Sequence, residues 1–117
     1  MAKQPEGKLS AEIMKSWRKL GIWCYKVHGS MYQPSGIPDI CGVAGGLSIW
    51  CETKMPGNRP SAIQWFKIDE LRAHGALVVV AYNLEDAVAL AEHALNGHTA
   101  ECVCRYTERV QILKEAA

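Results

Sequence analysis

Nothing in this sequence approaches the roughly 20 consecutive apolar residues of a membrane-spanning helix, so no membrane span is expected. The opening segment, Met1-Ala-Lys-Gln-Pro-Glu-Gly-Lys8, is polar and lacks the apolar stretch of a secretory signal. It reads as a loose tail over 1–8, on a protein expected in the cytoplasm. Charge of one sign is also missing: the formal net charge is +1, so any nucleic-acid contact must rest on a local patch. Repeats and low-complexity tracts are absent. The five cysteines are odd in number and several sit in apolar runs, which favours reduced thiols over a disulfide framework. His98 with Cys102-x-Cys104 falls short of a zinc site, because the usual spacing is C-x₂₋₄-C and no second pair exists. What remains is ordinary globular composition over 117 residues, enough for one domain with one modest core.

Within that composition one stretch stands out, Gly36 to Lys54. Two β-rich runs, about 38–44 and 47–54, flank Gly45-Gly46, and a two-residue glycine loop suits a type I′ hairpin, whose turn residues both need φ > 0. Counting back from the loop pairs Ala44 with Leu47, Val43 with Ser48, Cys41 with Trp50 and Asp39 with Glu52. Opposed side chains in such a ladder are roughly 5 Å apart at Cβ, and like charges there are destabilising. The two carboxylates therefore call for a cation. Lys54 shares the Glu52 face by the two-residue period, while Leu47, Ile49, Cys51 and Thr53 form a core face. A divalent metal held by two carboxylates, with an ammonium beside it, is the chemistry this pattern points to.

Around the hairpin the elements are expected as follows. Leu9–Leu20 reads as a helix with Ser10 as N-cap, a Leu9–Met14 staple, an Ile13, Trp17, Leu20 stripe and Gly21 at its end. Glu12 in its first turn either serves the helix dipole or adds an acid to the site. Ile22–His28 reads as a strand, and the loop 29–37 leads to Asp39. His28 and Tyr32 either touch substrate or are simply exposed near a strand end. A turn at 55–60 precedes a helix from Ser61 to about His74, stopped by Gly75. Ser61-x-x-Gln64 fits a capping box, yet Gln64 shares the inward stripe of Ile68 and Leu71, so cap, site or both remain open for it. Ala76–Ala81 reads as a central strand reached by a crossover. Asn83 caps a third helix with Leu84, Ala87, Val88, Ala91 and Leu95 inward. Val103, Tyr106, Val110 and Leu113 mark a C-terminal helix in the extension 98–117, with a short strand at 102–104 as the alternative.

Gly36-x-Pro38-Asp39, Glu52-Thr53-Lys54, Gln64 on the next helix, then Gly75 and an apolar strand together resemble the virus-type replication-repair nuclease (VRR-NUC) domain of the PD-(D/E)XK nucleases, from about Glu12 to Leu90. The resemblance implies an α/β fold with a restriction-endonuclease-like core. It implies a mixed sheet with that antiparallel hairpin, in the order αβββαβα plus a C-terminal helix. It also implies Mg²⁺- or Mn²⁺-dependent hydrolysis of DNA phosphodiesters. By position, Asp39, Glu52 and the Thr53 carbonyl would be metal ligands. Lys54 would position or activate water, Gln64 would be the motif glutamine and Glu12 the first-helix acid. The stand-alone, phage-like members it resembles imply a homodimer acting on Holliday junctions or other branched DNA. Lys15, Arg18, Lys19, Lys26, Arg59, Lys67 and Arg72 could track phosphates, or be ordinary solvated surface. A catalytically silent binding module of the same fold, and a small α/β domain with no site at all, are the competing readings.

Overall fold

The computed structural model describes residues 5–98, 102 and 104–116. The chain runs α1 (Pro5–Lys19), β1 (Trp23–Lys26), β2 (Ile40–Ala44), β3 (Leu47–Thr53), α2 (Ala62–Ala73), β4 (Leu77–Ala81), α3 (Leu84–Leu95) and α4 (Arg105–Ala116). This is the expected order. The strands form one mixed sheet, β1-β2-β3-β4, antiparallel except for the β3–β4 pair. The β2–β3 register is the one counted from the glycine loop, Ala44 on Leu47 through Ile40 on Cys51. Gly45 and Gly46 both take positive φ, 58° and 81°, the conformation that makes this turn glycine-dependent.

Three expectations need correction. The first helix starts at Pro5, not Leu9, so residues 5–8 are helical rather than tail, and residues 1–4 lie outside the described residues. Proline suits a first helical position, where its missing N–H would be unbonded anyway. Ser10 is therefore inside the helix and buried, not its cap, and the staple built on that cap is lost. The buried face is Leu9, Ser10, Ile13 and Trp17, while Leu20 lies beyond the helix and is exposed. Second, β4 is not central. It is the outer strand beside β3, and all five of its residues are buried because α2, α3 and α4 pack against it. A continuous apolar run reports cover on both faces, not lateral position, and a covered edge is also protected from further pairing. Third, the α3 stripe is rotated: Ala87, Leu90, Ala91 and Ala94 are buried, whereas Leu84 and Leu95 are exposed.

The other expectations hold with shorter bounds. The first strand covers Trp23–Lys26 within the expected Ile22–His28. Asn83 caps α3, its Oδ1 accepting from the Asp86 N–H at 2.9 Å. Tyr106 and Val110 of α4 are buried and Leu113 is packed against the core. Val103 lies outside the described residues, and Cys102 and Cys104, which are described, belong to no strand. Helices α1 and α3 pack on each other over the sheet, and the Trp17 indole N–H donates to the Ala87 carbonyl at 3.0 Å. The result for the site is that the C-terminal end of β3 sits between the first turns of α1 and the start of α2. No helix among the described residues is long and apolar enough to cross a membrane.

Candidate active site

Glu52 and Thr53 close β3, and both are almost fully buried, at 2% and 1% exposure. A carboxylate at that depth is costly unless paired. Its partners come from neighbouring elements. Gln64 Nε2 of α2 donates to Glu52 Oε1 at 3.1 Å, and Lys54 Nζ lies 3.8 Å from the same oxygen. Glu52 Oε2 is buried, with no hydrogen-bond partner among the described residues. Burial, with the charge of Asp39 next in size, pushes the Glu52 pKa up to about 8; Lys54 opposes this and Glu6 adds to it.

Asp39 sits just before β2, one position past the paired ladder, where its carbonyl accepts from the Val27 N–H at 2.7 Å. Its carboxylate does not simply oppose Glu52. Asp39 Oδ2 accepts from the Thr53 backbone N–H at 2.9 Å and from the Thr53 hydroxyl at 2.7 Å. The Thr53 hydroxyl is also 3.2 Å from the Ser10 hydroxyl of α1. Thr53 is thus a core-face residue that also orients the first acid. Below these residues the Cys51 thiol is held protonated by burial and by the two neighbouring carboxylates.

The approach of the chain to Asp39 depends on Gly36. Its φ is +82°, and a Cβ there would lie 2.6 Å from the Ile63 carbonyl oxygen of the α2 backbone. Gly29, in the same loop, has open space around it. Gly36→Ala is expected to cost at least about 1–2 kcal/mol for the left-handed conformation alone, before the backbone clash. Gly29→Ala should stay within about 0.5 kcal/mol of wild type. Urea unfolding of both variants checks this, and equal midpoints would contradict the packing described.

Gln64 is a cap residue, and the same side chain also touches Glu52. Its Oε1 accepts from the Ser61 N–H at 2.8 Å, and the Ser61 hydroxyl accepts from the Gln64 N–H at 3.3 Å, a complete capping box. The free end of the same amide then reaches Glu52. Capping fixes which way the amide points, so an N–H rather than a carbonyl faces the buried acid.

Glu12 is exposed, and among the described residues it makes no hydrogen bond or ion pair with this group. The α1 acid felt by Glu52 is Glu6, half-buried in the first turn and four residues before Ser10. Sequence reasoning missed Glu6 and Ser10 because it placed the helix start too late. Pro5 and the i, i+4 spacing of Glu6, Ser10 and Met14 were the available signal. Lys26 is half-buried on β1 opposite Ile40, close enough to influence the Cys51 thiol. His28 and Tyr32 are exposed, and neither lines the open cleft formed by Val27, other residues of the 29–37 loop and Asp39. Arg59 is turned elsewhere, donating to the Leu113 carbonyl of α4 at 3.2 Å, and Lys67 pairs with Glu70 along its own helix.

The residues present fit a hard divalent cation. Two carboxylates meet beside an ammonium, and one buried carboxylate oxygen has no hydrogen-bond partner among the described residues. Oxygen donors with only one or two carboxylates are what Mg²⁺ usually takes, with waters retained for substrate.

Comparison with solved structures gives a chain described as "VRR_NUC domain", with a TM-score of 0.66 and 24% sequence identity, over 78% of this chain and 98% of that one. No family model and no curated protein matches. The fold of the chain is therefore that of a VRR_NUC domain, in agreement with the resemblance carried by its motif order.

Proposed function

We propose that the chain is a nuclease that uses a divalent metal, Mg²⁺ or Mn²⁺, to hydrolyse DNA phosphodiester bonds. The observation that carries this reading is the unpartnered, buried Glu52 Oε2 in a group with Asp39, Gln64 and Lys54. Asp39 and Glu52 would hold the ion, with the Thr53 carbonyl as the third ligand. When bound, the ion lowers the pKa of water and polarises phosphoryl oxygens.

The chain's own residues do the rest. Thr53, bonded to Asp39 through both its N–H and its hydroxyl, fixes the Asp39 carboxylate before any ligand arrives. Ser10 in turn fixes the Thr53 hydroxyl. Gln64 holds Glu52 Oε1, which leaves Oε2 as the free donor. Lys54 supplies a fixed positive charge beside the negative charge that develops on phosphorus oxygens during attack, and it orients the attacking water. Glu6 replaces Glu12 in this reading as the first-helix acid. Lys26, His28 and Tyr32, none of which lines the cleft beside Asp39, would be the outlying contacts to a strand entering it. Arg59 and Lys67, already engaged, are weaker choices for phosphate contact.

The motif resemblance extends the reading to branched DNA, with four-way junctions as the preferred substrate. It also extends it to a homodimer in the cytoplasm, because paired cuts in a symmetric junction need two sites related by a two-fold axis. Junction, flap and linear duplex DNA, incubated with Mg²⁺, Mn²⁺ or EDTA, test the substrate and the metal. The expected result is metal-dependent cleavage, fastest on junctions and abolished by EDTA. Binding without cleavage under every metal would instead assign the silent-module reading. Sedimentation showing only monomer, free and on DNA, would remove the homodimer.

A further inference from the structure

A second group of metal-binding side chains lies away from the carboxylates, where the chain leaves α3. His93 is on the last turn of that helix, Gly97 takes φ +84° just past its end, and the chain there turns so that His98 meets His93. His93 Nε2 contacts His98 Nδ1, and the two rings are edge-on with centroids 4.6 Å apart. Cys102 Sγ comes within 3.8 Å of His93 Nδ1. One donor atom from each of the three residues can be chosen so that all lie within 4.8 Å of one another. The third face of the group is α4, whose buried Tyr106 packs its ring at an angle on His93, 5.6 Å between centroids.

Cys102-x-Cys104 has no partner pair in the sequence at the usual short spacing. The tertiary structure supplies a different set. His93 comes from the preceding helix, and Cys104 turns away to the Thr107 hydroxyl at 3.1 Å. In sequence the group reads His-x₄-His-x₃-Cys. We propose that His93, His98 and Cys102 bind one Zn²⁺ ion, with water in the fourth tetrahedral position, and that the ion clasps α4 and its connection to the end of α3.

The donor chemistry selects the ion. Two imidazoles and a thiolate suit zinc, and they suit Mg²⁺ poorly, because Mg²⁺ prefers oxygen. Both imidazoles must be neutral to ligate. Burial and the neighbouring ring already hold His93 below its ordinary pKa, so it is uncharged at neutral pH. Binding converts the Cys102 thiol to thiolate and releases its proton to solvent. The ion would tie the end of α3 through Cys102 to the start of α4, adding to the contact that Tyr106 makes with His93. This inference is independent of the nuclease reading, since it uses none of the same residues.

The test uses the full, reduced chain and two probes, Co²⁺ alone and Zn²⁺ alone. Co²⁺ is expected to give a tetrahedral spectrum with a thiolate charge-transfer band that saturates at one equivalent and is displaced by Zn²⁺. Cys102→Ser should lose the band, and His93→Gln and His98→Gln should each weaken binding by more than about 100-fold, beyond what outer-shell losses cost. Asp39→Asn should leave the band unchanged, which separates this ion from one at the carboxylates. A readout that needs no variant is alkylation of Cys102 in the wild-type chain, which Zn²⁺ should slow. A wild-type chain without the thiolate band, a band that survives Cys102→Ser, or alkylation at the same rate with and without Zn²⁺ would each overturn the proposal.

Discussion

Asp39→Asn is expected to leave the protein folded and to lower the proposed DNA cleavage by at least about 10³-fold. The substitution keeps an oxygen able to accept from the Thr53 N–H and hydroxyl, the two bonds that seat the side chain. What it removes is the negative charge. An ion at such a site supplies several kcal/mol of stabilisation to the charge that builds on a phosphate under attack, and each step of about 1.36 kcal/mol is a factor of ten in rate. Lys54→Met, which keeps the length of the side chain and deletes its charge, is expected to cost about 10²–10³-fold, the usual loss when one fixed electrostatic partner of a transition state is deleted. Single-turnover cleavage of a junction substrate, with circular dichroism as the check on folding, measures both. Cleavage at the wild-type rate by a folded Asp39→Asn protein would remove Asp39 from the site and the proposed reaction with it.

Glu52→Gln should make the metal-free protein more stable at pH 8 while abolishing cleavage. The Glu52 carboxyl is raised to about 8 in the folded chain, against an ordinary value of 4.5, chiefly by burial and then by Asp39. The folded state therefore holds this proton more tightly than the unfolded chain. Its contribution is fully present below about 4.5 and is lost as the pH rises to about 8. At about 1.36 kcal/mol per pH unit the loss is on the order of 5 kcal/mol at most. Glutamine has nearly the same shape, can still accept from Gln64 and carries no charge to bury, so its stability should not fall through that window. Urea unfolding of both proteins without metal, from about pH 5 to pH 9, gives the comparison; other titrating groups are common to both and cancel in the difference. Adding Mg²⁺ or Mn²⁺ at pH 8 should raise the stability of the wild type, whose ionised Glu52 then has its counter-charge, and not that of Glu52→Gln. Parallel pH profiles would show that Glu52 is not the strained acid the geometry describes.

The two expected results have one origin. A site prepared for a cation stores repulsion when the cation is away, so the residues expected to destabilise the chain are the same ones the proposed chemistry would use. Ordinary folds avoid a buried carboxylate oxygen without a partner, as Glu52 Oε2 is here.

Much of the arrangement is legible in the order of residues because it is local. The glycine pair fixes the hairpin turn, and the turn fixes the β2–β3 register, so the proximity of Asp39 to Glu52 follows by counting. Gln64 is legible for the same reason, since its capping box spans three residues. The errors share a different character. Whether the apolar run Ala76–Ala81 is a central strand cannot be told from the run itself, and the burial of β4 came from helices elsewhere in the chain.

The order of elements, the hairpin register and the capping of α2 and α3 followed from the residues alone, because each is an interaction closed within a short length of chain. Only the packed fold could say that the α1 charge felt at Glu52 is that of Glu6, that Thr53 seats Asp39, that β4 lies at the rim of the sheet and that His93 meets Cys102. Those outcomes depend on how whole helices and strands stack, and stacking is set by the sum of buried surface over the entire core, which no short pattern contains.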